Sequence, residues 1–323
     1  MFPKNPASIL IIKTGAIGDT ILFLPALEAV RQKFPKAFVE IMGHEERLSL
    51  LKENGYADSI VSIESKNLHS LFIKNARPSE SLLKYLRRFD LIFTFVKDET
   101  VFVDNIRKFS KGQIVQIPPF PEERGEHVVD YLLNALKGYG IEPKNRIPKL
   151  FAGADAKKSA VDFLQKHSIE PGSPVMAIHP GSGGKTKNWP LERFFEIGVW
   201  LKQKCGARIL LIIGPAEEAV EKTILDTMNV LNPVVAKNLS LEVLSGLLVF
   251  CQCFIGNDSG ITHMAAALGI PTVALFGPSD PHVWGPRGEN AVILKSSDSC
   301  GRGKGFMDGI TMERVKREID QLV

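Results

Sequence analysis

The stretch Ser8-Ile9-Leu10-Ile11-Ile12-Lys13, followed at once by Thr14-Gly15-Ala16-Ile17-Gly18-Asp19, decides how this chain is read. An apolar run without polar alternation marks a strand buried on both faces. The two glycines permit a tight turn. Ile21, Leu22, Leu24, Ala26, Leu27 and Val30 then line one helical stripe, which stops before Pro35. Strand, glycine turn and helix in that order build a parallel sheet with crossover helices.

Further along the chain, the pattern predicts strands at 38–42, 59–63 and 91–95, with helices at 45–51 and 81–88. Residues 139–153 carry Gly140, Pro143, Pro148 and Gly153 with little periodicity and read as a linker. The alternation then restarts, with strands expected at 175–179, 207–213, 234–236, 253–256 and 272–276 and helices at 191–204, 217–228, 241–250 and 260–268. At about 150 residues per domain, 323 residues suit two domains. The expected fold class is α/β: two doubly wound Rossmann-like domains, 1–150 and 151–323, facing each other across a cleft. The last helix, 312–322, is expected to pack back on the first domain. No period of 20–50 residues recurs, which excludes a solenoid.

Composition narrows the function. Forty Lys and Arg against 36 Asp and Glu leave +4, far from the dense basic stripes of nucleic-acid binders, so no nucleic-acid partner is expected. Cys205, Cys251, Cys253 and Cys300 are too few and too irregular for a disulfide framework, and C-x-C at 251–253 spells no zinc knuckle. There is no signal-peptide pattern and no apolar run of about 18 residues, so a cytoplasmic, non-spanning protein is expected.

Ligands of such sheets bind outside the carboxyl ends of the strands, so the loops there carry the candidate chemistry. Gly15-x-x-Gly18-Asp19 lacks the central glycine of the dinucleotide fingerprint. Asp19 reads either as a helix N-cap or as a general base. His179-Pro180-Gly181-Ser182-Gly183-Gly184-Lys185-Thr186-Lys187-Asn188-Trp189-Pro190 resembles a P-loop but fails its spacing, because His179 stands where the first glycine belongs. It remains a small-residue loop with two lysines, suited to an anion. Glu217 suits either ribose hydroxyls or the first turn of a helix. Gly256-Asn257-Asp258-Ser259-Gly260-Ile261-Thr262-His263 runs from a strand into a small-residue helix whose free N–H groups suit a pyrophosphate. Asp258 reads as a sugar contact or a cap, and His263 as part of the site or an ordinary core histidine. D-x-D, H-E-x-x-H and G-x-S-x-G are all absent, so neither a metal site nor a covalent nucleophile is expected.

Taken together, Ile11 to Asp19 with Pro25-Ala26-Leu27, His179-Pro180-Gly181-Ser182 with Lys187-Asn188-Trp189-Pro190, and Gly256-Asn257-Asp258-Ser259-Gly260-x-x-His263 with Phe276-Gly277-Pro278-x-Asp280-Pro281 resemble family 9 glycosyltransferases, the ADP-heptose:lipopolysaccharide heptosyltransferases. The resemblance covers nearly the whole chain. It implies a GT-B fold and an inverting, metal-independent transfer of heptose from ADP-heptose to a hydroxyl of the lipopolysaccharide inner core, without a cofactor. It implies Asp19 as base, and Ser182, Gly183, Lys187, Glu217, Asp258, Ser259, Gly260 and His263 as donor contacts. Between Ser65 and Arg124 there is little family signature. The acceptor is expected there, with Gly15, Lys66, Lys74 and Arg77 as candidate contacts. His69, Lys84, Arg87, Arg88, Arg107 and Lys108 add to a basic surface that would suit an anionic acceptor at the inner face of the inner membrane, or would simply be solvated. Two other readings stay open: a GT-B enzyme using another ADP- or UDP-linked sugar, and a non-catalytic binder of sugar nucleotides.

Overall fold

The computed structural model describes residues 5–51, 53–65, 68–97, 100–121, 125–170, 172–296 and 305–323. Lys66 and Cys300 lie outside the described residues. The chain divides into two compact units, Met1–Pro148 and Lys149–Val323.

The first unit runs β1 (Ser8–Lys13), α1 (Ile17–Leu22), α2 (Leu24–Lys33), β2 (Phe38–Gly43), α3 (Glu45–Leu48), β3 (Ser59–Ser62), α4 (Glu80–Leu86), β4 (Leu91–Phe95), α5 (Thr100–Phe109), β5 (Gln113–Gln116) and α6 (Val128–Lys137). Its sheet has the order β3-β2-β1-β4-β5, parallel throughout. The chain steps outward from β1 through β2 to β3, then returns to β1's other side with β4. The order therefore reverses between β1 and β4, and the Gly15 turn leaves β1 at that switch point. Leu10 and Ile12 face a core built with Leu82, Leu86, Ile92, Phe102 and Ile106.

The second unit continues with α7 (Ala154–Lys166), β6 (Val175–His179), α8 (Leu191–Cys205), β7 (Arg208–Ile213), α9 (Glu221–Met228), β8 (Val234–Lys237), α10 (Leu241–Leu248), β9 (Cys253–Asn257), α11 (Gly260–Ala267), β10 (Thr272–Phe276), α12 (Pro281–Trp284), β11 (Ala291–Lys295) and α13 (Met312–Leu322). Its parallel sheet is ordered β11-β10-β9-β6-β7-β8. Here the reversal falls between β6 and β9, so the loops after His179 and Asn257 share the switch point.

Two expectations need correction. The stripe after Gly18 is two helices rather than one: α1 ends at Leu22 and α2 restarts with Pro25 in its first turn, where its missing N–H costs nothing. The helix expected at 217–228 opens instead as a 3-10 segment, Pro215–Val220, before α9 begins. Helix α13 takes part in the second unit's core, where Val315 and Ile319 are buried with Ile209, Leu275 and Leu294. The β10–β11 face needs a cover, and the apolar stripe of α13 supplies it.

Candidate functional site

At the second unit's switch point, three loops are tied together by buried side chains. Asn257, fully buried at the end of β9, accepts from the Trp189 N–H at 2.9 Å and donates to the Pro180 carbonyl at 2.7 Å. One amide thus fixes both ends of the loop following β6. Trp189 is anchored in turn by its indole N–H on the Ile310 carbonyl at 3.0 Å. Inside this loop the Ser182 hydroxyl bonds Asn188 Oδ1 at 2.6 Å and accepts from the Gly184 N–H at 3.2 Å. Gly183 is exposed, with open space where a Cβ would stand. Lys187 donates to Asp258 Oδ2 at 2.7 Å, joining the β6 loop to the β9 loop.

Ser259, not Asp258, is the N-cap of α11, its hydroxyl accepting from the Thr262 N–H at 3.4 Å. Gly260 opens that helix, and the small residues behind it let its start lie close to β9 and β10. His263 sits buried one turn in, its N–H on the Ser259 carbonyl at 3.3 Å.

Glu217 has a different setting from the one expected of a ribose contact alone. It is 3% exposed; Oε2 accepts from the Gly214 N–H at 2.7 Å and lies 3.6 Å from His179 Nε2. Burial by itself pushes this carboxyl up, but the imidazole and the backbone donors outweigh it and hold the group below the usual carboxylate range. A Cβ on Gly181 would stand 1.9 Å from Glu217 Oε1, so the turn after Pro180 exists only because residue 181 has no side chain. On its other nitrogen, His179 Nδ1 lies 3.2 Å from Ser259 Oγ. The sequence motifs contain His179 and Asn257 but assign neither a role. The available signal is a polar residue at the last position of a fully apolar strand, twice over.

In the first unit, Asp19 is the third residue of α1, and Ala16 is the N-cap. Its carboxylate reaches back to accept from the Ala16 N–H at 2.8 Å. So Asp19 does cap the helix, from inside it, through one of its two oxygens. Gly15 has φ +139°, and a Cβ there would meet Asp19 Oδ2 at 2.8 Å and Lys13 Nζ at 3.0 Å, so glycine is required twice over. Lys13 is almost fully buried and donates to the Thr14 carbonyl at 2.6 Å, its ammonium lying 5.9 Å from the Phe23 ring centroid. Burial pushes its pKa down to about 8, with the Asp19 carboxylate pulling the other way. Arg47 of α3 donates to the Gly15 carbonyl and fixes the turn from outside. Neither Lys13 nor Arg47 stands out from sequence.

The basic residues of this unit separate. Lys74 and Arg77 are exposed on the segment that follows β3, at the same end of the sheet as Gly15. Arg88 is not available to a ligand in the same way: it forks both oxygens of the buried Glu40 at 2.6 and 2.7 Å, beside Tyr85. Arg107 bonds Asp104 and Gln116. The side chain of His69 lies outside the described residues.

Two parallel Rossmann-like units, each with its polar loops at a switch point, are those of the GT-B fold. The model of glycosyltransferase family 9 (heptosyltransferase) matches residues 117–306, more than half of the chain, and the chain belongs to that family. It is 26% identical over 292 residues to lipooligosaccharide heptosyltransferase 2 of Campylobacter jejuni serotype O:2, covering 88% of this chain and 85% of that protein. Among solved structures it resembles a glycosyl transferase family 9 protein of Veillonella parvula (TM-score 0.81, 21% identity, 98% of this chain and 97% of that one). It also resembles the E. coli ADP-heptose lps heptosyltransferase II (TM-score 0.75, 20% identity, 98% of each). The chain is thus a glycosyltransferase of the heptosyltransferase family.

Proposed function

We propose that the chain transfers heptose from ADP-heptose to a hydroxyl of the lipopolysaccharide inner core, with inversion at the anomeric carbon and without a metal. The observation that carries this reading is the braced start of α11 beside Lys187: cap, free helix amides and a lysine converge where a diphosphate would dock. The family's relatives supply the sugar, since two of the three named above are heptosyltransferases by name and one names ADP-heptose.

In this reading the amides of Gly260 and its neighbours, with Lys187, stabilise the charge that develops on the departing ADP. They supply the positive end that a metal would otherwise bring. Ser182 and Gly183 line the phosphate side, Asp258 meets sugar hydroxyls, and Glu217 meets the ribose through the oxygen not held by His179. His263 supports the loop from within α11. Asp19 takes the proton of the acceptor hydroxyl through the oxygen that does not accept from Ala16. Gly15, Lys66, Lys74 and Arg77 contact the anionic acceptor.

Among the described residues no helix is long and apolar enough to cross a membrane. We place the enzyme in the cytoplasm, peripheral on the inner membrane, where the exposed lysines and arginines of the first unit meet anionic headgroups.

The test is transfer by the purified protein from ADP-heptose to heptose-deficient lipopolysaccharide core, in the presence of a chelator, with the product's mass and anomeric configuration read out. A heptosylated product of inverted configuration is expected. Product formed only from a UDP-linked sugar would reassign the donor, and tight sugar-nucleotide binding without any turnover would make the chain a binder.

A further inference from the structure

His179 stands at the end of β6, the strand between β7 and β9, and its ring reaches both neighbouring loops. Nε2 faces the Glu217 carboxylate at 3.6 Å, and Nδ1 faces the Ser259 hydroxyl at 3.2 Å. The set Ser–His–Glu matches a hydrolytic triad in composition only. Ser259 is a helix cap, tied to Thr262 through both its N–H and its hydroxyl, and it has no freedom to act as a nucleophile.

The protons of this cluster are in short supply. Glu217 accepts only, so Nε2 carries a proton. Thr262 Oγ1 donates to the Asn257 carbonyl at 2.5 Å, which uses its only proton. Ser259 has one proton and two neighbours able to take it: His179 Nδ1 at 3.2 Å and Thr262 Oγ1 at 3.1 Å. A phosphate oxygen docked at the start of α11 would be a third and stronger acceptor, because it is charged. When Ser259 turns its O–H to the phosphate, Nδ1 and Oγ are left facing each other lone pair to lone pair. A second ring proton removes that conflict.

We propose that His179 takes up a proton when a nucleoside diphosphate sugar binds, becoming an imidazolium held between Glu217 and Ser259. This rests on the donor reading above and makes His179 a positioning residue. The step balances. The Ser259 O–H···Nδ1 bond is exchanged for Ser259 O–H···O–P, one proton from solvent goes to Nδ1, and Nδ1–H then donates to Ser259 Oγ. The ring is only 4% exposed, and the hydroxyl offers the route: Ser259 passes its own proton to Nδ1 and takes another from water. The new charge is compensated by Glu217, whose carboxyl is already held in its ionised form. Among the described residues, charged or titratable groups beside the cluster include the Lys187–Asp258 pair next to Ser259 and His263 in the first turns of α11. The net effect is one more positive charge behind the diphosphate, present only while the diphosphate is there.

The experiment is calorimetric titration of the full chain with ADP-heptose at about pH 8 in buffers of different ionisation enthalpy. The phosphates of this donor do not titrate near that pH, so they cannot supply the signal. Uptake approaching one proton per donor is expected, with the His179 ring nitrogens both moving to imidazolium positions in 15N NMR spectra. His179→Gln should abolish the uptake and flatten the rise of Kd with pH, which in the parent chain approaches about tenfold per unit. Ser259→Ala removes the contested proton and should abolish the uptake even if His179→Gln fails to fold. Binding without uptake, or equal uptake in both variants, overturns the proposal and leaves the donor reading intact. Failure of ADP-heptose to bind at all overturns the donor reading and this inference with it.

Discussion

The two switch-point loops of this chain are built on opposite plans. The loop after β9 is braced from several sides: Asn257 holds the loop after β6, Lys187 and His179 reach across to Asp258 and Ser259, and Ser259 caps α11; Asn257 and His179 are buried. The turn after β1 is sparse. Asp19 is partly exposed, has one backbone donor at 2.8 Å, and stands near a buried lysine that does not reach it with an ion pair. In the proposed reading the braced loop docks a diphosphate, and rigidity serves that binding. A group that exchanges a proton needs an oxygen left open, and Asp19 keeps one.

The substitution that puts most strain on this contrast is Asp19→Asn. It keeps the shape and the bond from Ala16 but removes the acceptor charge. Transfer should fall by about 10²–10⁴-fold, while ADP affinity, measured by calorimetry, stays within error. An unchanged turnover would remove Asp19 as base.

Lys13→Met tests the sparse side through stability. The ammonium ordinarily titrates near 10.5 and here near 8, so the folded state binds fewer protons than the unfolded chain between those values. By linkage, the parent protein should gain stability as pH rises through that window, and below pH 8 it should carry a penalty of about 3 kcal/mol. Urea melts at pH 7 and 10 should show that slope for the parent and lose it in the variant. A parallel pH dependence in both proteins would place the titration elsewhere.

On the braced side, two glycines of the loop after β6 make a matched pair. Gly181→Ala drives a methyl into Glu217 and should cost about 1–3 kcal/mol, visible as a lower Tm. Gly183→Ala meets nothing and should stay within about 0.5 kcal/mol of the parent. Equal effects would mean that the Glu217–Gly181 contact does not constrain the loop.

How much of the molecule is legible in its sequence depends on what surrounds each residue. Strands such as Ile9–Ile12 and Leu210–Ile213 are covered on both faces, and their unbroken apolar runs announce them. The edge strand Gln113–Gln116 gives no such signal, because it is half exposed and has a glutamine at each end; Ala291–Lys295 has no counterpart in the sequence reading although Ala291–Leu294 is an apolar run. Helices α5, α6 and α7 have no counterpart in the sequence reading, although Phe102, Val103 and Ile106, and Val128, Val129, Leu132, Leu133 and Leu136, carry helical spacing; α7 adjoins the linker. Chain spacing locates the Asp19 and Asp258 loops but leaves the cap at each open, since one residue along a turn decides which side chain meets the first free N–H. Glu217 shows the other limit. Its surroundings come from β6 and from the loop after it, contacts that no local window of sequence contains.

Helix α13 bears on how the molecule is made. The first unit has its last sheet strand by Gln116, and the buried cluster around Leu10 and Ile12 draws on residues 10–106. The second unit has all six strands by Lys295, yet Leu275 and Leu294 wait for Val315 and Ile319 to cover them. At roughly 5–20 residues per second, translation leaves the first unit free to fold well ahead of the second. The second unit is then a late-maturing half, exposed to chaperones until the residues around 319 have emerged from the ribosome.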